Sequence, residues 1–216
     1  MTTTDLRRIR ALVVLRLAEV LAAQRPLVPA VLFVVLVLVL TVNDPSSAPG
    51  PWPVTVPVLS AASTWLTLAA TNTGEDRTVA TAAAGGPGRW AVAAIGAALL
   101  LELPPVVVGA LLPALLHPAG YPPAVIGGAV VAHLTAAMAG TAIGLGCSRP
   151  VVDRPGLAAA LAFVVVVVAA TVPWLPPVGT AVRAVGEGTP SVADPVVAAA
   201  LLGVVSVGWW ARSRRG

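Results

Sequence analysis

Six apolar stretches, each close to the length that crosses a bilayer, constrain this chain more than any other feature of its sequence. A transmembrane helix needs about 20 mostly apolar residues, because each residue adds about 1.5 Å and the hydrocarbon core is about 30 Å thick. The predicted spans cover residues 26–42, 54–72, 90–112, 124–146, 157–175 and 193–211. Only 10% of the 216 residues are charged, against about 25% in a soluble domain. We therefore predict an all-α integral membrane protein with six transmembrane helices in one domain, residues 1–216.

The positions of the basic residues predict how these spans are oriented. All 13 basic residues are arginines, and with this placement of the spans all except Arg183 fall on one side of the membrane. Cytoplasmic loops retain Lys and Arg, so an even number of crossings places both termini in the cytoplasm. The absence of lysine beside abundant Ala, Val, Gly and Pro is typical of a GC-rich bacterial genome. We expect a multi-pass protein of the bacterial cell (inner) membrane.

The net charge of +4 does not indicate a nucleic-acid partner. The arginines flank apolar spans instead of forming a basic face, and attraction to anionic membrane lipid explains them. Cys147 is the single cysteine of the sequence. It excludes an internal disulfide and is interpreted as a small apolar residue.

Residues 5–24 predict an amphipathic helix that lies along the inner membrane surface. Apolar residues recur on one face and charged residues on another: Leu6, Ile9, Val13, Leu17 and Val20 against Arg8, Arg16 and Glu19. The Arg25-Pro26 pair at the junction favours a separate surface helix over a simple extension of the first span.

The cytoplasmic segment between the second and third spans, TNTGEDRTVATAAAGGPGR (71–89), predicts a short helix with defined ends. Thr73 can cap its N-terminus, and Glu75 and Asp76 lie in its first turn, where the helix dipole favours anions. Gly85-Gly86-Pro87 ends it. Either this helix docks a soluble partner, or it only reverses the chain; the residues leave both interpretations open.

Glu102 is the one acid deep inside a predicted span, and His133 in the next span is its candidate partner. A charge there costs at least about 2.5–3.5 kcal/mol, so it usually faces protein or water. Counting 1.5 Å per residue, Glu102 lies about 18 Å above the inner boundary and His133 about 14 Å below the outer one. We expect the two side chains to meet, as a proton relay, a polar contact in a transport path or a structural pair. Alternatively, a protonated Glu102 bonds to backbone freed by Pro104-Pro105.

The sequence carries no recognisable catalytic motif. It contains no GxSxG, no HExxH, no Cys/His cluster with metal-ligand spacing and no GxxxxGK[ST] phosphate loop. We therefore predict no catalytic residue, no metal site and no cofactor in this chain. Any participation in an enzyme depends on a partner.

The layout resembles the membrane (permease) subunit of a type-2 ATP-binding-cassette (ABC) exporter. The resemblance includes the N-terminal surface helix, six spans and a cytoplasmic loop, LTLAATNTGEDRTVATAAAGGPGR, similar to that family's coupling helix. The outer segment 173–195 is similar to the region that forms short re-entrant helices before the last span.

The resemblance implies a permease that pairs with a second copy or a related permease and docks on separate ABC ATPase subunits, which bind ATP and Mg²⁺. By position, the coupling helix would place four residues at the ATPase contact: Glu75, Asp76, Arg77 and Thr78. The Ala- and Val-rich spans suit an apolar or amphipathic cargo. Two alternatives stay open: a proton-coupled secondary transporter or channel that uses Glu102 and His133, and a membrane assembly or immunity protein without transport.

Overall fold

The described part of the chain forms eight α-helices. The computed structural model describes residues 3–43, 47–72, 86–149, 151–189 and 191–214. Within these ranges we find no strand and one short 3₁₀ turn, Pro118–Gly120. The helices are α1 (Thr3–Ala22), α2 (Leu27–Asn43), α3 (Trp52–Asn72), α4 (Pro87–Leu116), α5 (Pro123–Cys147), α6 (Pro155–Thr171), α7 (Val178–Gly186) and α8 (Ala193–Ser213).

Four of these helices, α3, α4, α5 and α8, are long and apolar enough to cross a membrane. The bent pair α1 and α2 supplies a fifth candidate if it is counted as one span. Helices α2 and α6 each have 17 residues, or about 25 Å, which is the lower limit for a crossing. The predicted all-helical fold is confirmed for the described residues, which supply four or five helices apolar enough to span a membrane. Six spans stay a prediction.

The N-terminal helix is separated from the next helix where the sequence predicts it. Helix α1 ends at Ala22 and α2 begins at Leu27, and their axes differ in direction by 77°. Between them Gln24 adopts a positive φ of 56°, a conformation that turns the chain sharply. Proline at position 26 suits the entry to the second helix. A single continuous helix over this region is therefore excluded.

The packed face of α1 agrees with the predicted one at most positions, with Val20 buried and Arg8 exposed, but it differs at two residues. Arg16, expected on the polar face, is only 5% exposed, whereas Leu6, expected on the apolar face, is 57% exposed. The Arg16 guanidinium donates to the carbonyl of Ala70 (2.9 Å) and to Glu19 (2.8 Å). It also lies 5.4 Å from the ring centre of Trp90. The assignment of Arg16 to the exposed face was wrong, because these contacts offset the cost of burying its charge.

Among the described helices, α3 and α5 make the most extensive contact, and two glycines of α5 permit their close approach. A Cβ at Gly140 would overlap the carbonyl oxygen of Ser60, and one at Gly144 would lie 2.6 Å from Cβ of Thr67. The Thr64 hydroxyl donates to the carbonyl of Gly140 across the contact, at 3.1 Å. Small residues let membrane helices approach closely, because no large side chain keeps the backbones apart. Such packing matters in lipid, which provides no hydrophobic force to drive helices together.

The segment before the last helix contains the short helix α7, in the region where the resemblance implies short helices. Its residues Val178, Ala181 and Val185 are buried and pack against the bundle. The chain enters it through Val172 to Pro177, so α6 ends at Thr171, earlier than the predicted limit of 175. That α7 enters the membrane as a re-entrant helix stays a prediction.

We predict that Gly140→Ala destabilises the protein by about 1–3 kcal/mol, because the added methyl group forces two backbones apart. Gly127→Ala in the same helix is the matched control, since nothing lies within 4 Å of its added Cβ. The control should change stability by at most about 1 kcal/mol, the propensity difference between Gly and Ala. Thermal unfolding in detergent compares the two variants. Equal melting temperatures would contradict the close α3–α5 contact.

Candidate functional site

Glu102 lies at the centre of a polar cluster between α3, α4 and α5. Its side chain is 2% exposed. The Thr67 hydroxyl donates to Oε1 at 3.1 Å. The Thr141 oxygen lies 2.7 Å from both Oε1 and Oε2. The cluster therefore joins three helices through one carboxyl group and two hydroxyl groups.

The number of donor hydrogens in this cluster indicates whether the Glu102 carboxyl group carries a proton. Thr141 Oγ1 has one hydrogen but lies within bonding distance of both Glu102 oxygens and, at 3.0 Å, of the Ala137 carbonyl. If Glu102 carries a proton, it donates to Thr141, whose own hydrogen bonds to Ala137 in the backbone contact usual for helix threonines. Thr67 then donates to the other Glu102 oxygen. Every polar atom is satisfied in this arrangement, and no charge is buried in hydrocarbon.

His133 makes a separate polar contact, in the half of the bundle predicted to face outward. Its Nδ1 lies 2.8 Å from the carbonyl of Ala129 and its Nε2 lies 3.0 Å from the Thr55 hydroxyl. A carbonyl oxygen only accepts, so Nδ1 carries the hydrogen, and in the neutral ring Nε2 accepts from Thr55. The ring packs directly over Gly109, where a Cβ would lie 2.6 Å from His133 Cδ2.

The predicted contact between Glu102 and His133 is not formed. Glu102 pairs with Thr141, which lies eight residues beyond His133 on α5, or about 12 Å along the axis. The depth argument failed because α4 has 30 residues and α5 has 25. At about 45 Å and 37 Å, both helices exceed the hydrocarbon core, so the predicted boundaries did not fix their register.

At the end of the bundle predicted to face the cytoplasm, α1 contacts the two helices that flank the segment predicted to dock a partner. The Arg16 guanidinium donates a hydrogen bond to the carbonyl of Ala70, near the end of α3. Asp5, at the start of α1, accepts a 2.8 Å hydrogen bond from Arg89 in the first turn of α4. Helix α1 therefore connects the two chain ends that enter and leave residues 73–85. The predicted ATPase-contact residues Glu75, Asp76, Arg77 and Thr78 lie outside the described residues.

An aromatic cluster extends this inner contact to the last helix. Trp90 of α4 stacks on Trp209 of α8, with ring centres 5.8 Å apart. The Trp209 indole donates to the Ser148 hydroxyl (2.9 Å) and to the carbonyl of Arg149 (2.8 Å), at the end of α5. We call Arg16, Trp90, Trp209 and Ser148 the inner clamp. It connects α1, α4, α5 and α8.

The partners of Glu102 and the whole inner clamp were not predicted from the sequence. A signal for the first was present: hydroxyl residues recur at helical spacing along one side of the second span, at Ser60, Ser63, Thr64, Thr67 and Thr71. In an apolar helix such a row indicates a polar interhelical contact. The inner clamp had no comparable signal, because its members come from four distant parts of the chain.

The described residues hold no group of three or more His, Cys, Asp or Glu side chains that could bind a metal ion. No family model, no curated protein and no solved structure matches the chain.

We predict that Glu102→Gln changes the free energy of unfolding by no more than about 1 kcal/mol, because an amide both donates to Thr141 and accepts from Thr67. Glu102→Ala should cost about 2 kcal/mol or more, because it removes both bonds and leaves a cavity. Equilibrium unfolding in mixed detergent measures both variants. A strongly destabilised Gln variant beside a stable Ala variant would contradict this hydrogen-bond arrangement.

Proposed function

We propose that this chain is the transmembrane permease subunit of an ATP-driven ABC exporter. It would move an apolar or amphipathic molecule out of the cytoplasm, using energy from a separate ATPase subunit that binds ATP and Mg²⁺. The observation that carries the proposal is the attachment of α1 to both ends of residues 73–85, the segment with the predicted docking residues.

This attachment supports a mechanical role for the inner end of the bundle. A partner that pushes on residues 73–85 transmits force to α3 and α4, the helices that enter and leave the segment. Because Arg16 and Asp5 join α1 to both helices, the three would move together. The inner clamp continues the connection to α8 and to the end of α5. If residues 73–85 only reversed the chain, nothing would require α1 to be attached to both of the helices that flank them.

The outer end of the bundle also agrees with this proposal. A short helix, α7, precedes the last helix, as the resemblance implies.

We place six crossings in the bacterial inner membrane, with α2 and α6 as the two shortest and both termini in the cytoplasm. Apolar side chains remain exposed along α2, α6 and α8, among them Leu32, Phe163 and Val204. They suit contact with lipid and with a second permease, either a second copy or a related chain.

The alternative of a proton-coupled transporter loses its main support. That alternative is a secondary transporter or channel that uses Glu102 and His133, and contact between the two side chains was its main support. Glu102 instead bonds to the hydroxyl groups of Thr67 and Thr141. His133 bonds to the Thr55 hydroxyl and the Ala129 carbonyl, at a different depth. No observation favours a membrane assembly or immunity protein without transport.

We predict that the tagged chain, purified from its native membrane in mild detergent, carries ATPase activity. Reversing two charges of the docking segment, with Glu75→Arg and Asp76→Arg together, should remove at least about nine-tenths of that activity by breaking the contact. Asp153→Arg is the matched control. It reverses an exposed acid in the next predicted cytoplasmic loop and should leave the activity unchanged.

The measurement is nucleotide hydrolysis per mole of purified chain. A preparation that folds but carries no ATPase activity would count against the proposal. Equal loss of activity with Asp153→Arg would show that charge reversal acts nonspecifically, which would contradict docking at residues 73–85.

A further inference from the structure

A cavity of about 200 Å³ lies at the predicted outer end, between the starts of α3 and α5 and the end of α7. Its walls are mostly small apolar residues, with the indole of Trp52 on one side and Glu187 at the exposed edge. Trp52 itself is buried and packs edge-on against Tyr121 at 5.0 Å. The cavity therefore offers an apolar and aromatic surface that is large enough for a small organic molecule.

A second, much smaller chamber of about 10 Å³ lies next to this cavity. Gly128, Ala184 and Val185 line both spaces. The small chamber has space for one group of the size of a water molecule. Its polar residues are Thr135, Asp194 and Ser191.

Asp194 lacks one of the partners that a buried carboxyl group needs. Its side chain is 5% exposed. Oδ1 accepts a 2.6 Å hydrogen bond from Thr180, but Oδ2 has no hydrogen-bond partner among the residues that the structure describes. The salt bridges found in those residues involve other acids, including Glu187, which pairs with Arg183 at 2.7 Å. A buried carboxylate oxygen without a donor is costly.

The position of Asp194 in the first turn of α8 explains only part of this arrangement. An acid at a helix N-terminus is stabilised by the dipole, and Thr180 fixes one of its oxygens. Neither contact satisfies Oδ2. A single donor that fits the small chamber would satisfy it, and an ammonium group has the right size and charge. The adjacent apolar cavity supplies space for whatever that ammonium group is attached to.

We propose that the two spaces together bind an amphipathic amine. The ammonium head would donate to Oδ2 of Asp194, and the apolar body would lie in the larger cavity beside Trp52. This inference deepens the proposed function, on which it rests for its meaning: the amine is the class of cargo that leaves from the outer end. Binding itself requires only this chain.

The experiment measures binding of 2-phenylethylammonium to the purified full-length chain in detergent, by isothermal titration calorimetry. Its neutral isostere, 2-phenylethanol, reports partition into detergent and apolar binding alone. Asp194→Asn removes the charge that the ammonium group needs, so the dissociation constant for the amine should rise at least about tenfold. The same variant should leave the response to 2-phenylethanol unchanged.

Two further variants separate a binding role from a folding role. Glu187→Gln removes the other carboxylate of the cavity and should weaken amine binding less than about threefold, because Arg183 already pairs with that acid. Ala184→Leu fills the wall shared by both spaces without changing any charge, and it should abolish binding of the amine. Circular dichroism melting identifies a variant that does not fold, and the remaining variants then decide.

Several results would overturn this inference. They are equal amine affinity in the unmodified chain and Asp194→Asn, no binding of the amine to a folded chain, and stabilisation by sodium chloride alone at millimolar concentration, which would assign the chamber to an inorganic cation. These results leave the ATPase contact untouched, because the titration contains no partner chain. Conversely, amine binding by a chain that never associates with an ATPase would contradict the proposed function but not this site.

Discussion

The close approach of α3 and α5 is the interaction on which the rest of the bundle depends. In hydrocarbon, unsatisfied polar groups are costly and apolar side chains gain little by leaving lipid, so helix contacts rest on packing and internal hydrogen bonds. Gly140 and Gly144 remove the side chains that would keep the two backbones apart. Thr64 and Thr141 then reach partners on neighbouring helices. Bringing α3 and α5 together is what creates the position that a buried Glu102 needs.

The two ends of this bundle differ in their contacts. At the predicted inner end, buried Arg16 and stacked indoles connect α1 to the helices around residues 73–85. At the predicted outer end, two adjacent spaces remain beside Trp52 and Asp194. In the exporter that we propose, the first end would receive force from the ATPase and the second would release the cargo.

The sequence predicted the helices well, because long apolar runs and the Arg25-Pro26 break are local signals. It failed where a side chain's position depends on distant partners. Arg16 was assigned to the polar face because its charge is visible in the sequence, whereas Ala70 and Trp90 are not visible as its neighbours. Glu102 was paired with His133 because their depths were counted from assumed boundaries. The observed partner, Thr141, lies eight residues or about two helical turns further along α5. Asp194 gave no signal, since an acid at a helix start is ordinary until its unpaired oxygen is located.

The orientation of the bundle is the central claim, because both the docking segment and the amine cavity take their meaning from it. It requires α2 and α6, the two 17-residue helices, each to cross the membrane. Single cysteines at Arg8, Asp153 and Glu187, all exposed positions, in a Cys147→Ala background test this with a membrane-impermeant maleimide. The account predicts that Glu187→Cys is labelled in intact cells, and that Arg8→Cys and Asp153→Cys are labelled only after permeabilisation. If neither α2 nor α6 crossed, Asp153→Cys would be labelled in intact cells. Labelling of Arg8→Cys or Asp153→Cys in intact cells, or protection of Glu187→Cys until the cells are opened, would contradict the account.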